Sequence, residues 1–157
     1  MTGRVYSVPF KAINIGTVVS DLWAITTASN MPVDIEDVRL DPCATAISDL
    51  LVSFHLFTGA FTAGAGGSAV TPVPRVYGDT AAVTSAKVLN TTQTAAGSGV
   101  NTVTDAGEWN LVNGWAWQPL DTDHRITIPV SSCFVVSLDS AGASETVSGC
   151  LILREFA

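Results

Sequence analysis

Glu108-Trp109-Asn110-Leu111-Val112-Asn113-Gly114-Trp115-Ala116-Trp117-Gln118-Pro119-Leu120 carries three of the four tryptophans in the chain. Trp109, Leu111, Trp115 and Trp117 all occupy odd positions. Successive side chains of an extended strand point to opposite faces, so these four share one side. The other side holds Asn110, Val112, Gly114, Ala116 and Gln118, mostly small or polar. A helix would scatter the indoles around its axis, and Gly114 would weaken it. The stretch predicts one long central strand with a heavy aromatic face, ended by Pro119, which cannot donate to a ladder. Such a face packs the core of a β-domain. Its alternative use is an exposed platform for a sugar or a partner.

Outward from this strand, the same period-two pattern recurs. Val5–Ile15 alternates but is broken by Pro9, which predicts an edge strand or an extended N-terminal arm over residues 1–10. Val18–Thr27 places Trp23 and Ile25 on one face. Met31–Leu40 changes parity between Ile35 and Val38, and one extra residue near Glu36-Asp37 restores it, which predicts a bulge. Asp41-Pro42 has the signature of a short helix running to Ser48. Leu50–Phe57 sets Leu50, Val52, Phe54 and Leu56 against Leu51, Ser53, His55 and Phe57. Thr58–Thr71 is rich in Gly and Ala and has no period, so it reads as a long, mobile surface loop. Pro72 and Pro74 stiffen its exit. Ser85–Asn90 is a short strand, Asn90–Gly99 a polar loop, and Arg125–Val130 a further strand.

Ser132–Leu138 and Thr146–Leu153 flank Asp139-Ser140-Ala141-Gly142-Ala143-Ser144 and read as a closing hairpin. An even-length loop centred on Ala141-Gly142 sets Val136 opposite Val147 and Phe134 opposite Gly149, an aromatic covering a glycine. It also brings Cys133 opposite Cys150, within reach of a disulfide; a cytoplasmic setting favours two reduced thiols. About eight strands with little helix predict an all-β, jelly-roll-like antiparallel β-sandwich, one domain over residues 1–157.

The 157 residues are 47% hydrophobic and 13% charged, about half the usual charged share. Either apolar area is hidden between copies or the exterior is built from Thr, Ser, Ala and Gly, and a homo-oligomer is expected. A net charge of −7 and the absence of any Lys/Arg run argue against nucleic acid and anionic lipid as partners. No apolar run approaches the ~18 residues of a membrane helix, and Met1-Thr2-Gly3-Arg4 is not followed by a signal-peptide core. The three cysteines (Cys43, Cys133, Cys150) lack zinc-site spacing. Of the two histidines, His55 sits among apolar neighbours on a strand. His124 follows Asp121 and Asp123 in a turn, a weak metal or acid–base signal. No G-x-S-x-G, Walker or G-x-G-x-x-G motif is present. No catalytic residue, metal or cofactor is expected.

Val70-Thr71-Pro72-Val73-Pro74, the strand end Gly114-Trp115-Ala116-Trp117-Gln118-Pro119 and the closing segment to Glu155-Phe156 resemble small virion proteins of tailed bacteriophages, of the jelly-roll head decoration (cement) type. The resemblance runs from about Val5 to Phe156 and rests on motif order and loop pattern. It implies a homotrimer assembled in the host cytoplasm, bound to the major capsid protein on the outer surface of the virion. Three neighbouring copies would close a ring and bind multivalently. Within Arg4–Phe10, the residues Arg4, Tyr6 and Phe10 are the candidate capsid contacts, through strand addition there or through a neighbouring loop. Leu51, His55 and Phe57, on the second face of Leu50–Phe57, and Val135, Ser137 and Ser148, on the small and mildly polar outward face of the closing hairpin, are the candidate subunit contacts. The alternative is a receptor- or glycan-binding jelly roll of a tail or fibre, with Trp115 or Trp117 stacking on a sugar.

Overall fold

The computed structural model describes residues 3–15, 20–42, 49–139 and 145–156. The described residues form twelve strands: β1 (Arg4–Asn14), β2 (Ser20–Thr26), β3 (Val33–Pro42), β4 (Asp49–Thr58), β5 (Ser68–Val70), β6 (Val73–Pro74), β7 (Ser85–Asn90), β8 (Val100–Asn110), β9 (Trp115–Trp117), β10 (Ile126–Ile128), β11 (Cys133–Leu138) and β12 (Thr146–Glu155). One 3-10 turn, Thr122–His124, is the sole helical element among the described residues. The strands form two antiparallel sheets. One runs β10-β3-β12-β1-β6, with β9 also on β3; the other runs β5-β7-β2-β11-β4-β8.

The order follows from one rule. Partner numbers sum to 159 at Arg4↔Glu155, at Thr26↔Cys133 and at Leu50↔Trp109. β3 meets β10 and β9 close to the same register, at Ile35↔Ile126 and Leu40↔Trp115. The principal described strands therefore form one long ribbon folded back near residue 80. Rolled up, it pairs β12 with β3 and β11 with β4 as well. Nested pairing with these two extra contacts is a jelly roll of eight principal strands, β9 and β10 sharing one place. The short strands β5 to β7 extend its two edges.

Between the sheets lies one core, in which Tyr6, Trp23, Phe54, Trp109 and Phe134 are the largest fully buried rings or phenols. The ribbon's tip folds back onto its own ends. Arg4 donates to Thr80 Oγ1 at 2.7 Å and Tyr6 Oη to the Thr80 carbonyl at 3.0 Å. Buried Glu155 accepts from Val83 N at 3.0 Å and Thr84 N at 2.7 Å.

Two expectations change and a third is narrowed. The closing hairpin does not form, since β11 and β12 lie in different sheets, each between two partners. Two strands with apolar residues on the inner face and small groups outside gain more from central places than from pairing with each other. Phe134 faces Ile25 and Leu56, while Gly149 is covered by Phe10. Second, the tryptophan stretch is two strands. Asn110 Oδ1 accepts from Val112 N at 3.0 Å, and Asn113 N donates to the Asn110 carbonyl at 3.0 Å, so the chain turns there. β8 stays in one sheet and β9 crosses to the other. The shared face survives, because inside remains inside across the turn: Trp109 and Leu111 are buried, and Trp115 and Trp117 pack half-buried on the same core. Third, of the two readings of the N-terminal segment, edge strand or arm, residues 4–10 take the strand, near the sheet edge and flanked on its outer side by the short β6 at Tyr6 and Ser7.

The bulge near Glu36 is present: Ile152 pairs with Asp37 and Leu153 with Ile35, leaving Glu36 as the extra residue. Asp41 and Pro42 end β3, and the rest of the expected helix to Ser48 lies outside the described residues, as does Cys43.

Candidate functional site

β11 is buried on both faces, although one of them points away from the core. The cover comes from the chain itself. Within the segments expected as loops, Thr58–Thr71 and Asn90–Gly99, residues 58–67 and 91–99 bridge each other at Thr62↔Ala95 and Ala65↔Thr92. They lie over the outer face of β2, β11 and β4. Phe61 and Ala96 pack there on Ala24, Phe57, Cys133 and Val135. Asp21 staples the cover: its Oδ2 accepts from Thr94 N at 2.9 Å, Thr94 Oγ1 at 2.8 Å and Asn90 Nδ2 at 3.2 Å.

This decides what the sequence-derived contact residues can do. Phe57, Val135 and Ser137 are buried within the protomer, so their outward faces are satisfied without a second copy. His55 and Ser148 are half-buried, and Leu51 is 40% exposed. Ser148 lies on the other sheet, where its Oγ accepts from Ala12 N at 2.9 Å. Tyr6 and Phe10 are core residues, Phe10 packing on Trp23 with ring centroids 4.8 Å apart. Of Arg4, Tyr6 and Phe10, only Arg4 is exposed.

Beside the cover, the fold assembles a constellation the sequence did not reveal. Ser53 Oγ lies 2.7 Å from His55 Nε2 and donates to Asp139, while His55 Nδ1 lies 3.1 Å from Asn101 Oδ1. Ser-x-His on one strand with Asp139 86 residues away has no sequence signature; only the β4–β11 register joins them. The residue types match a hydrolase triad, but the arrangement does not. The Ser53 proton is directed at Asp139, so the acid meets the serine itself, and the other ring nitrogen of His55 faces Asn101. A general base needs the reverse, with an acceptor nitrogen at the serine and the acid on the other ring nitrogen. Ser53 is also buried at 2% exposure, away from any attacking position. The group acts as a polar tie joining β4, β8 and the end of β11.

Asp121 and His124 do meet, at 2.7 Å, both exposed. The His124 ring, then the Asp123 backbone N–H, hold the Asp121 carboxyl below its ordinary range. Asp121 caps the 3-10 turn. Among the described residues no group of three or more His, Cys, Asp or Glu side chains is placed to hold a metal. Cys133 and Cys150 are free and in opposite sheets. Burial pushes the Cys133 thiol up to about 11, and burial also raises Cys150.

One of several concave features, the one richest in aromatic side chains, lies where β8, the edge of one sheet, faces β9, at the edge of the other. A cleft of about 190 Å³ opens there between Asp105, Ala106 and Gly107 on one wall and Trp115 and Trp117 on the other, floored by Val52 and Phe54. Both indoles stand nearly perpendicular to the Phe54 ring, at 89° and 75°, with centroids 5.8 and 5.3 Å away. Trp117 Nε1 donates to Asp105 Oδ2 at 2.7 Å, and Ala106 N donates to Asp105 Oδ1 at 2.8 Å, so the carboxylate is held at the rim.

No family model matches the chain, and no curated protein or solved structure matches it. Among the described residues no helix is long and apolar enough to cross a membrane.

Proposed function

We propose that this chain is a non-catalytic structural protein of a tailed-phage particle, a jelly roll that forms a homotrimer and decorates the outer surface of the capsid. The observation that carries this reading is the ribbon's tip. Val73, Val76, Tyr77 and Val83 are 51%, 60%, 106% and 55% exposed, in one short segment beside Arg4. Large apolar groups held this far into water by a folded, hydrogen-bonded tip suit contact with another protein. The tip is also a loop neighbouring Arg4–Phe10, the region expected to touch the shell. With 13% charged residues, the exterior carries little to keep copies apart, and trimeric binding lets weak single contacts add up. The sequence resemblance supplies the particle; the eight-strand jelly roll agrees with it, though one fold serves many functions.

The test uses capsids stripped of this protein. Adding the wild-type chain back should raise the temperature at which the particles release their DNA, and Val76→Asp/Tyr77→Asp should abolish both binding and protection. Unchanged release temperature with saturating wild-type protein would contradict the reading.

A further inference from the structure

We propose that the cleft between β8 and β9 is a binding site for a neutral sugar ring. The proposal is independent of the assembly role, because the cleft lies at the β3 side of its sheet and the exposed tip lies beyond β1, at the opposite edge. Three features define the ligand. The first is apolar surface: two half-buried indoles stand over Phe54, offering rings to the C–H face of a pyranose. The second is an acceptor, the Asp105 carboxylate. Each oxygen already receives one N–H, which fixes it in place and leaves a further lone pair for a ligand hydroxyl.

The third feature decides the class. Three tryptophans satisfy their indole N–H within the protein: Trp23 to the Val8 carbonyl, Trp109 to the Asn113 carbonyl and Trp117 to Asp105. Trp115, half-buried in the cleft lining, makes no such bond to the described residues, and its Nε1 stays within reach of water. It faces the Gly107 wall, where a Cβ on Gly107 would find this nitrogen, 4.0 Å away, as its nearest contact. That wall is bare backbone. An occupant that replaces water here gains most by accepting from an indole N–H, donating to a carboxylate and showing an apolar face, all within about 190 Å³. A quaternary ammonium ion would suit the rings and Asp105 but cannot accept from Trp115. An anion would accept but meets Asp105 with no basic side chain in the lining. A hydroxylated ring does all three.

The experiment is titration of the intact protein, followed by tryptophan fluorescence and by chemical-shift changes at Ala106, Gly107 and Ala116. The probes are methyl β-glucopyranoside and N-acetylglucosamine, with tetramethylammonium chloride at equal ionic strength as the rival. A single small ring in so open a cleft should bind with Kd on the order of millimolar. Trp115→Phe keeps an aromatic face and removes the N–H; it should weaken the sugar about tenfold, and Asp105→Asn should do likewise. Urea midpoints of both variants are compared with wild type, so that Asp105→Asn, at an exposed position, still decides the matter should Trp115→Phe unfold. Saturable binding of either sugar, lost in the variants, supports the site. No saturable change up to about 100 mM with either sugar, tighter binding of tetramethylammonium, or unaltered sugar affinity in both folded variants would overturn it.

Discussion

Phe10 pairs with Gly149 across β1 and β12, and its ring occupies the space a side chain on residue 149 would need. A Cβ there would come within 2.8 Å of Phe10 Cζ and 2.6 Å of Trp23 Cη2. Gly149 is thus the gap into which two aromatic rings of the core are fitted. Gly149→Ala should overpack the centre of the sandwich and cost roughly 1–3 kcal/mol. Urea unfolding checks it, and a loss under a few tenths of a kcal/mol would show that the rings have room to shift.

Glu155 ties the end of the ribbon to its tip. Both tip N–H groups it accepts lose their charged partner in Glu155→Ala, and Thr84 is buried. The expected loss is about 2–3 kcal/mol, with Glu155→Gln retaining part of it through the amide oxygen. Equal stabilities for the Ala and Gln variants would mean the contact acts by packing alone.

The cover over β11 depends on close approach at Gly64. A Cβ there would meet Asn90 Nδ2 at 2.5 Å and Asp21 Oδ2 at 2.7 Å. Gly64→Ala should lift the cover from the Asp21 staple and uncover Phe57 and Val135. The readout is increased binding of a hydrophobic dye with unchanged far-UV circular dichroism; no increase would place the cover's stability elsewhere.

Cys133 makes stability pH-dependent on the alkaline side. Its folded value, about 11, lies above the ordinary 9.0, so the folded protein keeps the thiol proton that the unfolded chain releases. Its contribution is complete below pH 9 and is lost as pH rises towards 11, by roughly 2–3 kcal/mol in total. Between pH 8 and 10.5 the urea midpoint of Cys133→Ala should fall less than that of wild type. Parallel decline in both would contradict the assignment.

Much of the architecture was legible because period two and parity survive from sequence to structure. The Glu36 bulge followed from the change of parity alone, and the odd-numbered aromatic face held across a turn that sequence did not reveal. What failed was pairing. A local loop between β11 and β12 looked sufficient for a hairpin, yet the ribbon register centred near residue 80 took both strands, because pairing partners depend on burial across the whole chain. The same non-local register hid the Ser53–His55–Asp139 tie and brought 58–67 and 91–99 together as a cover. Phe57, Val135 and Ser137 were correctly placed on an outward face, but composition could not show that the chain supplies its own lid. For the aromatic cleft, Trp115 and Trp117 were legible, whereas Asp105 came from the other sheet's edge.

The assembly claim is tested most directly by sedimentation equilibrium of the purified chain over a wide concentration range. The account predicts a species of three times the 16.3 kDa chain mass, reduced to single chains by Val76→Asp/Tyr77→Asp if the tip also joins the copies and unchanged by that variant if it meets only the shell. A wild-type protein that remains at 16.3 kDa at the highest concentrations would contradict it.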